Sequence, residues 1–199
     1  RIFAGETITD VASISLEDVQ TSIPLVDLSQ QELDAGLATA IADHRIRSGG
    51  EIHKHQQGSL VGHLRRIGTL HNSATDGEEK DSQRRTILEL GAGRGITGLV
   101  VAGVSAKQAP TRFVMVERGT SRSRADKILR KIKEFPDESA IDTDYLDLAS
   151  VQWDRIRCDV AHVDMRKVVS QGSNLGDLVV VAKHLCGAGT DLALKSLEP

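Results

Sequence analysis

The sequence predicts an α/β fold, a parallel β-sheet with helices on both faces, preceded by a small helical segment. Three observations lead there. Four short apolar runs alternate with segments of helical period: the start of Thr86–Gly95, Phe113–Val116, Ile156–Val163 and Leu178–Ala182. Strands that alternate with helices build parallel βαβ units. The first run also enters a bend with glycines at alternate positions, TILELGAGRG, which reads as a buried strand, a tight turn free of Cβ atoms, and a helix opening at about Ile96. Finally, all four runs end in glycine or polar residues: Gly91/Gly93/Gly95, Glu117-Arg118, Asp164-Met165 and Lys183-His184. Ligands of open α/β sheets collect at those strand ends.

The length of 199 residues accommodates one ordinary domain, or a small domain plus part of another. The expected division is a helical segment over 1–71, a polar linker over 72–83 and the α/β domain over 84–199. The sequence starts at Arg1 and stops at Pro199 shortly after its fourth strand, so it is expected to be a fragment, truncated after that strand. In the first segment, Ser29-Gln-Gln-Glu32 is a capping box followed by Leu33, Leu37, Ile41 and His44 at helical spacing. A second helix is expected where Leu60, Val61, Leu64 and Ile67 share a face, with Arg65 and Arg66 turned away. Asn72–Gln83 is apolar only at Ala74 and reads as linker. His44, His53, His55, His63 and His71 lie in this part, but no cysteine or nearby carboxylate completes a structural zinc spacing. They read as polar helix and linker positions.

In the α/β part, the helix after the glycine turn is apolar through Val104, though Gly98 and Gly103 weaken it. Ser123–Glu134 puts Ala125, Ile128, Leu129 and Ile132 on one stripe with basic groups opposite, and Pro136 lies just beyond. Residues 137–152 are ambiguous and include a candidate loop around Tyr145. The third strand is expected to end at Asp164, and the fourth at Lys183.

Composition excludes several classes. No run is long enough to span a bilayer and no signal-peptide pattern opens the sequence. Two cysteines, Cys158 and Cys186, make no disulfide framework, which suits a reducing compartment. An intracellular location, nucleus or cytoplasm, is expected. Five aromatic residues leave little base-stacking surface, and the net charge of −3 is not that of a generally basic nucleic-acid binder. Residues 112–133, however, carry eight Lys/Arg against Glu117 and Asp126. That run forms either a basic patch or a solvated helix surface.

The glycine spacing separates two cofactor classes. Dinucleotide sites use G-x-G-x-x-G/A, but here Gly91, Gly93 and Gly95 give G-x-G-x-G and the sixth position is Ile96. With Glu89 in front, the turn matches the E/D-x-G-x-G-x-G of S-adenosylmethionine (SAM) methyltransferases, in which an acid handles the amino-acid end of the cofactor. Glu117, 22 residues after Gly95, ends the second strand, where an acid accepts from a ribose diol. Arg118 follows it at the same rim. Asp164 is placed either to accept from the adenine amino group or to cap a strand end. Lys183-His-Leu-Cys-Gly187 puts a cation and an imidazole after the fourth strand. If the acceptor is a hydroxyl, His184 or a Lys183 of lowered pKa can take its proton, with Asp191 orienting the base. An anion-binding or structural loop is the plainer reading of the same stretch. Thr190 or Asp191 is placed to cap a following helix. Methyl transfer needs no covalent enzyme intermediate, so Cys186 is expected to be packed or substrate-facing.

On these residues the sequence resembles the tRNA ribose 2′-O-methyltransferases that modify nucleotide 4 of the acceptor stem. The resemblance rests on ELGAGRG (Glu89–Gly95), Glu117-Arg118 followed by Arg124-Ala-Asp-Lys127, RIRCDVAHVDM (Arg155–Met165) and KHLCGAGTDLAL (Lys183–Leu194). HQQGSLVGHL (His55–Leu64) resembles the segment just before that family's catalytic domain. Gly189 stands where Ala is expected, and Ile96-Thr97-Gly98 replaces a more polar helix opening. The resemblance implies a Rossmann-like SAM-methyltransferase sheet and methyl transfer from SAM to the 2′-hydroxyl of an acceptor-stem ribose. Zinc belongs only to that family's N-terminal Cys/His finger, which has no counterpart in these residues. An A-form stem is read through 2′-hydroxyl and phosphate contacts, which suits Arg122, Arg124, Arg130, Lys131 and Lys133. The rival readings are a SAM methyltransferase acting on a protein or small molecule, and a non-catalytic SAM-fold RNA-binding subunit. The sequence leaves the oligomeric state open.

Overall fold

A computed structural model describes residues 51–70, 84–119, 124–135, 146–164, 167–168, 177–183, 185 and 187–196. The helix expected after Ser29, the linker 72–83, the loop around Tyr145, and His184 and Cys186 lie outside the described residues, as do the side chains of His53 and His55. The described elements are α1 (Glu51–Arg66), β1 (Arg85–Leu90), α2 (Ile96–Ala106), β2 (Thr111–Val116), α3 (Arg124–Glu134), β3 (Gln152–Ile156), a 3₁₀ turn (Val160–His162), β4 (Asp177–Val181) and α4 (Ala188–Ser196).

The strands form one parallel sheet in the order β3-β2-β1-β4. The chain therefore steps outward from β1 to β2 and β3, then returns to the other side of β1. That reversal opens a crevice between the β1 and β4 tips, the usual ligand position in such sheets. Every residue of β1 and β2 is buried. This is why RTILEL and TRFVMV lack clean alternation: a parallel sheet is covered on both faces. Ile87, Phe113, Met115, Val179 and Val181 pack against α1, α2 and α3. Leu88, Leu90, Val114 and Val116 face Val160, Val168 and Ala193 of α4 on the other side. The sequence-based α/β assignment thus matches the structure.

α3 has the expected stripe, with Ala125, Ile128, Leu129 and Ile132 buried. α1 buries Val61 and Leu64 in the same core as α2, but Ile67, grouped with them by period, is 71% exposed because the helix ends at Arg66. α2 runs unbroken through both of its glycines. A Cβ on Gly98 would stand 2.7 Å from Glu89 Oε2, so this glycine lets helix and strand approach closely. Within the stretch left ambiguous, Leu146 and Leu148 are buried and the Asp147 N–H donates to Gly103 O.

One boundary is corrected. The third strand is Gln152–Ile156, not a run ending at Asp164. It pairs with β2 from Arg112↔Gln152 to Val116↔Ile156, and β2 has no further residue to offer as a partner. The Asp159 carboxylate then accepts from the Ala161 N–H and turns the chain into the 3₁₀ turn.

Candidate active site

The glycine turn joins β1 to α2, with Gly91, Gly93 and Gly95 at φ 62°, 50° and 73°. A side chain is disfavoured at such angles. At Gly95 space forbids one as well, since a Cβ would lie 2.6 Å from Met115 Sδ and 2.9 Å from Ala125 Cβ. Beside Gly93, by contrast, nothing lies within 4 Å of that position. The turn is therefore packed beneath and open above.

Glu117, one residue past β2, reaches across to this turn. Its Oε2 accepts from the Gly93 N–H at 2.8 Å and its Oε1 from the Gly119 N–H at 2.7 Å. Each oxygen keeps a lone pair for a further donor. Arg118 points elsewhere, its guanidinium meeting Asp159 at 3.4 Å beyond β3. The N–H of Ala161, with Arg118 beside it, holds the Asp159 carboxyl below its ordinary range.

Register fixes the other half of the site. β1 pairs with β4 as far as Glu89↔Val181, so the turn at Gly91 and the segment at Lys183 leave the sheet at the same rim. The loop after β4 touches the turn, because a Cβ on Gly91 would meet Leu185 Cδ1 at 3.1 Å. Glu89 is 3% exposed and has no hydrogen-bond partner for Oε2. Burial pushes its carboxyl up to about 8, against the opposing pull of the Gly98 N–H, Arg155 and Lys183. Burial also lowers the Lys183 ammonium, which the Glu89 charge partly offsets. Lys183 further lines an open cavity of about 350 Å³ with Ala182, Thr97 of α2, and Gln56, Ser59, Leu60 and His63 of α1.

The structure thus brings together Glu89, Gly91, Gly93, Gly95, Glu117 and Lys183. Arg118 and Asp164 make contacts of their own, Arg118 with Asp159 and Asp164 with Lys167. Asp164 follows β3 by eight residues instead of ending it. Its carboxylate accepts from the Lys167 N–H at 3.3 Å and meets the Lys167 ammonium at 3.4 Å. Asp191 is exposed in the first turn of α4. Neither Thr190 nor Asp191 caps that helix, which starts at Ala188; the Thr190 hydroxyl donates to Leu185 O at 2.6 Å and ties the loop to α4.

Sequence reasoning missed Arg155 and the polar face of α1. Arg155 forms a 2.7 Å ion pair with the buried Asp126 and donates to Gly93 O at 3.3 Å. It thereby links β3, α3 and the glycine turn. No local pattern joins residues so far apart in sequence. Among the described residues, no group of three His, Cys, Asp or Glu could hold a metal ion. Nor is any described helix long and apolar enough to cross a membrane.

Comparison with known proteins finds a methyltransferase family. Residues 55–198 match the family described as methyltransferase TRM13. The mouse protein named tRNA:m(4)X modification enzyme TRM13 homolog is 25% identical over 203 residues, covering 96% of this chain and 36% of its own length. The human homolog is 26% identical over 145 residues, covering 73% of this chain and 24% of its own. The Schizosaccharomyces pombe TRM13 enzyme is 26% identical over 201 residues, covering 89% and 48%. The chain therefore spans less than half the length of these relatives.

Proposed function

The chain belongs to the TRM13 methyltransferase family, and from that premise we propose that it carries the SAM-dependent core of a tRNA methyltransferase. In this reading its acceptor is the ribose 2′-hydroxyl of nucleotide 4 in the acceptor stem. The family relatives are named tRNA:m(4)X modification enzymes, which supports tRNA as the substrate. The observation that carries the reading is the exit of the Gly91 turn and the Lys183 segment at one rim of the sheet, with Glu117 bonded across to the same turn.

The residues present fit the cofactor. Open space above Gly93, three left-handed glycines and an unsatisfied buried Glu89 oxygen suit a small ligand with a cationic end. Glu117 would accept from the ribose diol, Gly91–Gly95 and Glu89 would receive the amino-acid end, and Arg118 and Asp164 would border the adenine side. Bound SAM would supply an electrophilic methyl group to the acceptor oxygen, with the electron pair of the broken carbon–sulfur bond left on sulfur and the hydroxyl proton left to be taken up. Lys183 holds positive charge at the acceptor oxygen, where it favours the developing anion. His184 and Asp191 complete the proposed constellation as groups that position the acceptor. Lys127, Arg130, Lys131 and Lys133 are exposed on α3 and supply cations for the phosphates of a stem.

Labelled SAM offered to the full-length protein with separate pools of tRNA, protein and metabolites tests this. The expected result is label in tRNA, mapping to the nucleotide 4 ribose. Label in protein or metabolites alone would refute it, and SAM binding without transfer to any pool would leave an RNA-binding subunit.

A further inference from the structure

α1 precedes the sheet in sequence, yet one of its faces reaches the rim where Lys183 stands. Gln56, Ser59, Leu60 and His63 line the 350 Å³ cavity opposite Lys183 and Thr97. Their spacing of three, four and seven residues puts them on a single helical face. The neighbouring face is anchored, with Val61 2% and Leu64 8% exposed in the core shared with α2. The cavity face is therefore held in a fixed position. It carries an amide, a hydroxyl and an imidazole, short groups suited to the hydroxyls of a sugar. A cavity of this size lies within the range that takes one small ligand or a single nucleotide unit. The family match, beginning at residue 55, includes this face.

We propose that the Gln56–Ser59–His63 face of α1 is the acceptor wall of the methyl-transfer site, and that His63 takes the proton of the acceptor hydroxyl. The inference rests on the methyl-transfer reading above. An acceptor nucleotide in the cavity lies between α1 and Lys183, at the rim shared with the glycine turn. As its oxygen gains the methyl carbon, the oxygen–hydrogen bond breaks towards the imidazole. The imidazolium then gives the proton to solvent through the open mouth of the cavity. Lys183 cannot do both jobs at once: as an ammonium it holds the oxygen's charge but accepts no proton. Gln56 and Ser59 position the nucleotide, and the order of residues on the face places them two turns and one turn from His63.

The test uses the full-length protein, with turnover on tRNA, S-adenosylhomocysteine affinity by calorimetry and tRNA affinity by filter binding. His63→Ala is expected to lower kcat by about 100-fold or more, with both affinities within about two-fold of wild type. His63→Gln, which accepts a hydrogen bond but no proton, is expected to fail equally. Gln56→Ala and Ser59→Ala are expected to raise KM and weaken tRNA binding by roughly 2–10-fold each, with S-adenosylhomocysteine affinity kept. Wild-type kcat in His63→Ala, or rescue by His63→Gln, overturns the proton role. Loss of S-adenosylhomocysteine affinity in His63→Ala makes the residue structural and overturns it too. If wild type methylates tRNA while all four variants match it, this inference alone fails. If wild type transfers nothing to tRNA, the parent reading fails and takes the inference with it.

Discussion

Glu89 is an acid deep in the core, and burial lifts its carboxyl from 4.5 to about 8. Between those values the folded chain holds a proton that the unfolded chain has released. Stability linked to Glu89 is therefore greatest below about 4.5 and falls as pH rises towards 8. Glu89→Gln keeps the shape and cannot ionise. It is predicted to match wild type near pH 4.5 and to exceed it near pH 8 by up to roughly 4 kcal/mol. Urea unfolding across this range measures the difference, and parallel curves for the two proteins would contradict it. Glu117 makes a different prediction, since its carboxylate is engaged by the Gly93 and Gly119 N–H groups at the open side of the turn. Glu117→Ala should weaken SAM binding by about 1.5–3 kcal/mol per lost charged hydrogen bond. Calorimetry giving wild-type affinity would remove Glu117 from the site. Both acids were legible in sequence because each sits beside a glycine spacing or a strand end. Arg155 was not, because its partners Asp126 and Gly93 come from other elements.

At the scale of elements, the glycine turn was readable because its requirement is local: a left-handed backbone needs glycine wherever it occurs. Gly95→Ala adds strain at φ 73° and a Cβ 2.6 Å from Met115 Sδ. The cost should be about 2–4 kcal/mol, seen as a lower Tm together with lost SAM binding. An unshifted Tm would mean that the turn relaxes freely. The third strand was misjudged for the opposite reason. Arg155-Ile-Arg-Cys-Asp-Val-Ala-His-Val163 is apolar enough to continue as strand, but a strand extends only as far as its neighbour, and β2 stops at Val116. Asp159 then closes the turn. That boundary also displaced Asp164 from a strand tip to the bond with the Lys167 N–H. The cavity face of α1 escaped notice because Gln56, Ser59 and His63 form no local motif that marks a site. The tertiary approach of Lys183 and Thr97 makes them one wall of an open cavity.

For the whole molecule, the order β3-β2-β1-β4 does the decisive work. Alternating strands and helices were enough to anticipate a parallel sheet, since burial on both faces leaves its mark as continuous apolar runs. The placement of the reversal beside β1 was not written in any one stretch; it follows from which strand pairs with which. Because β4 returns to the flank of β1, the glycine turn, Glu117 and Lys183 share one rim, although they span 93 positions from Gly91 to Lys183. In the proposed reaction the methyl donor lies at that rim. A crystal structure of the full-length protein with S-adenosylhomocysteine tests it most directly. The predicted result is a ribose at Glu117, an amino-acid end over Gly91–Gly95, and a sulfur turned towards Lys183 and the α1 cavity. A ligand bound at the opposite rim of the sheet, or a sulfur facing away from Lys183, would contradict it.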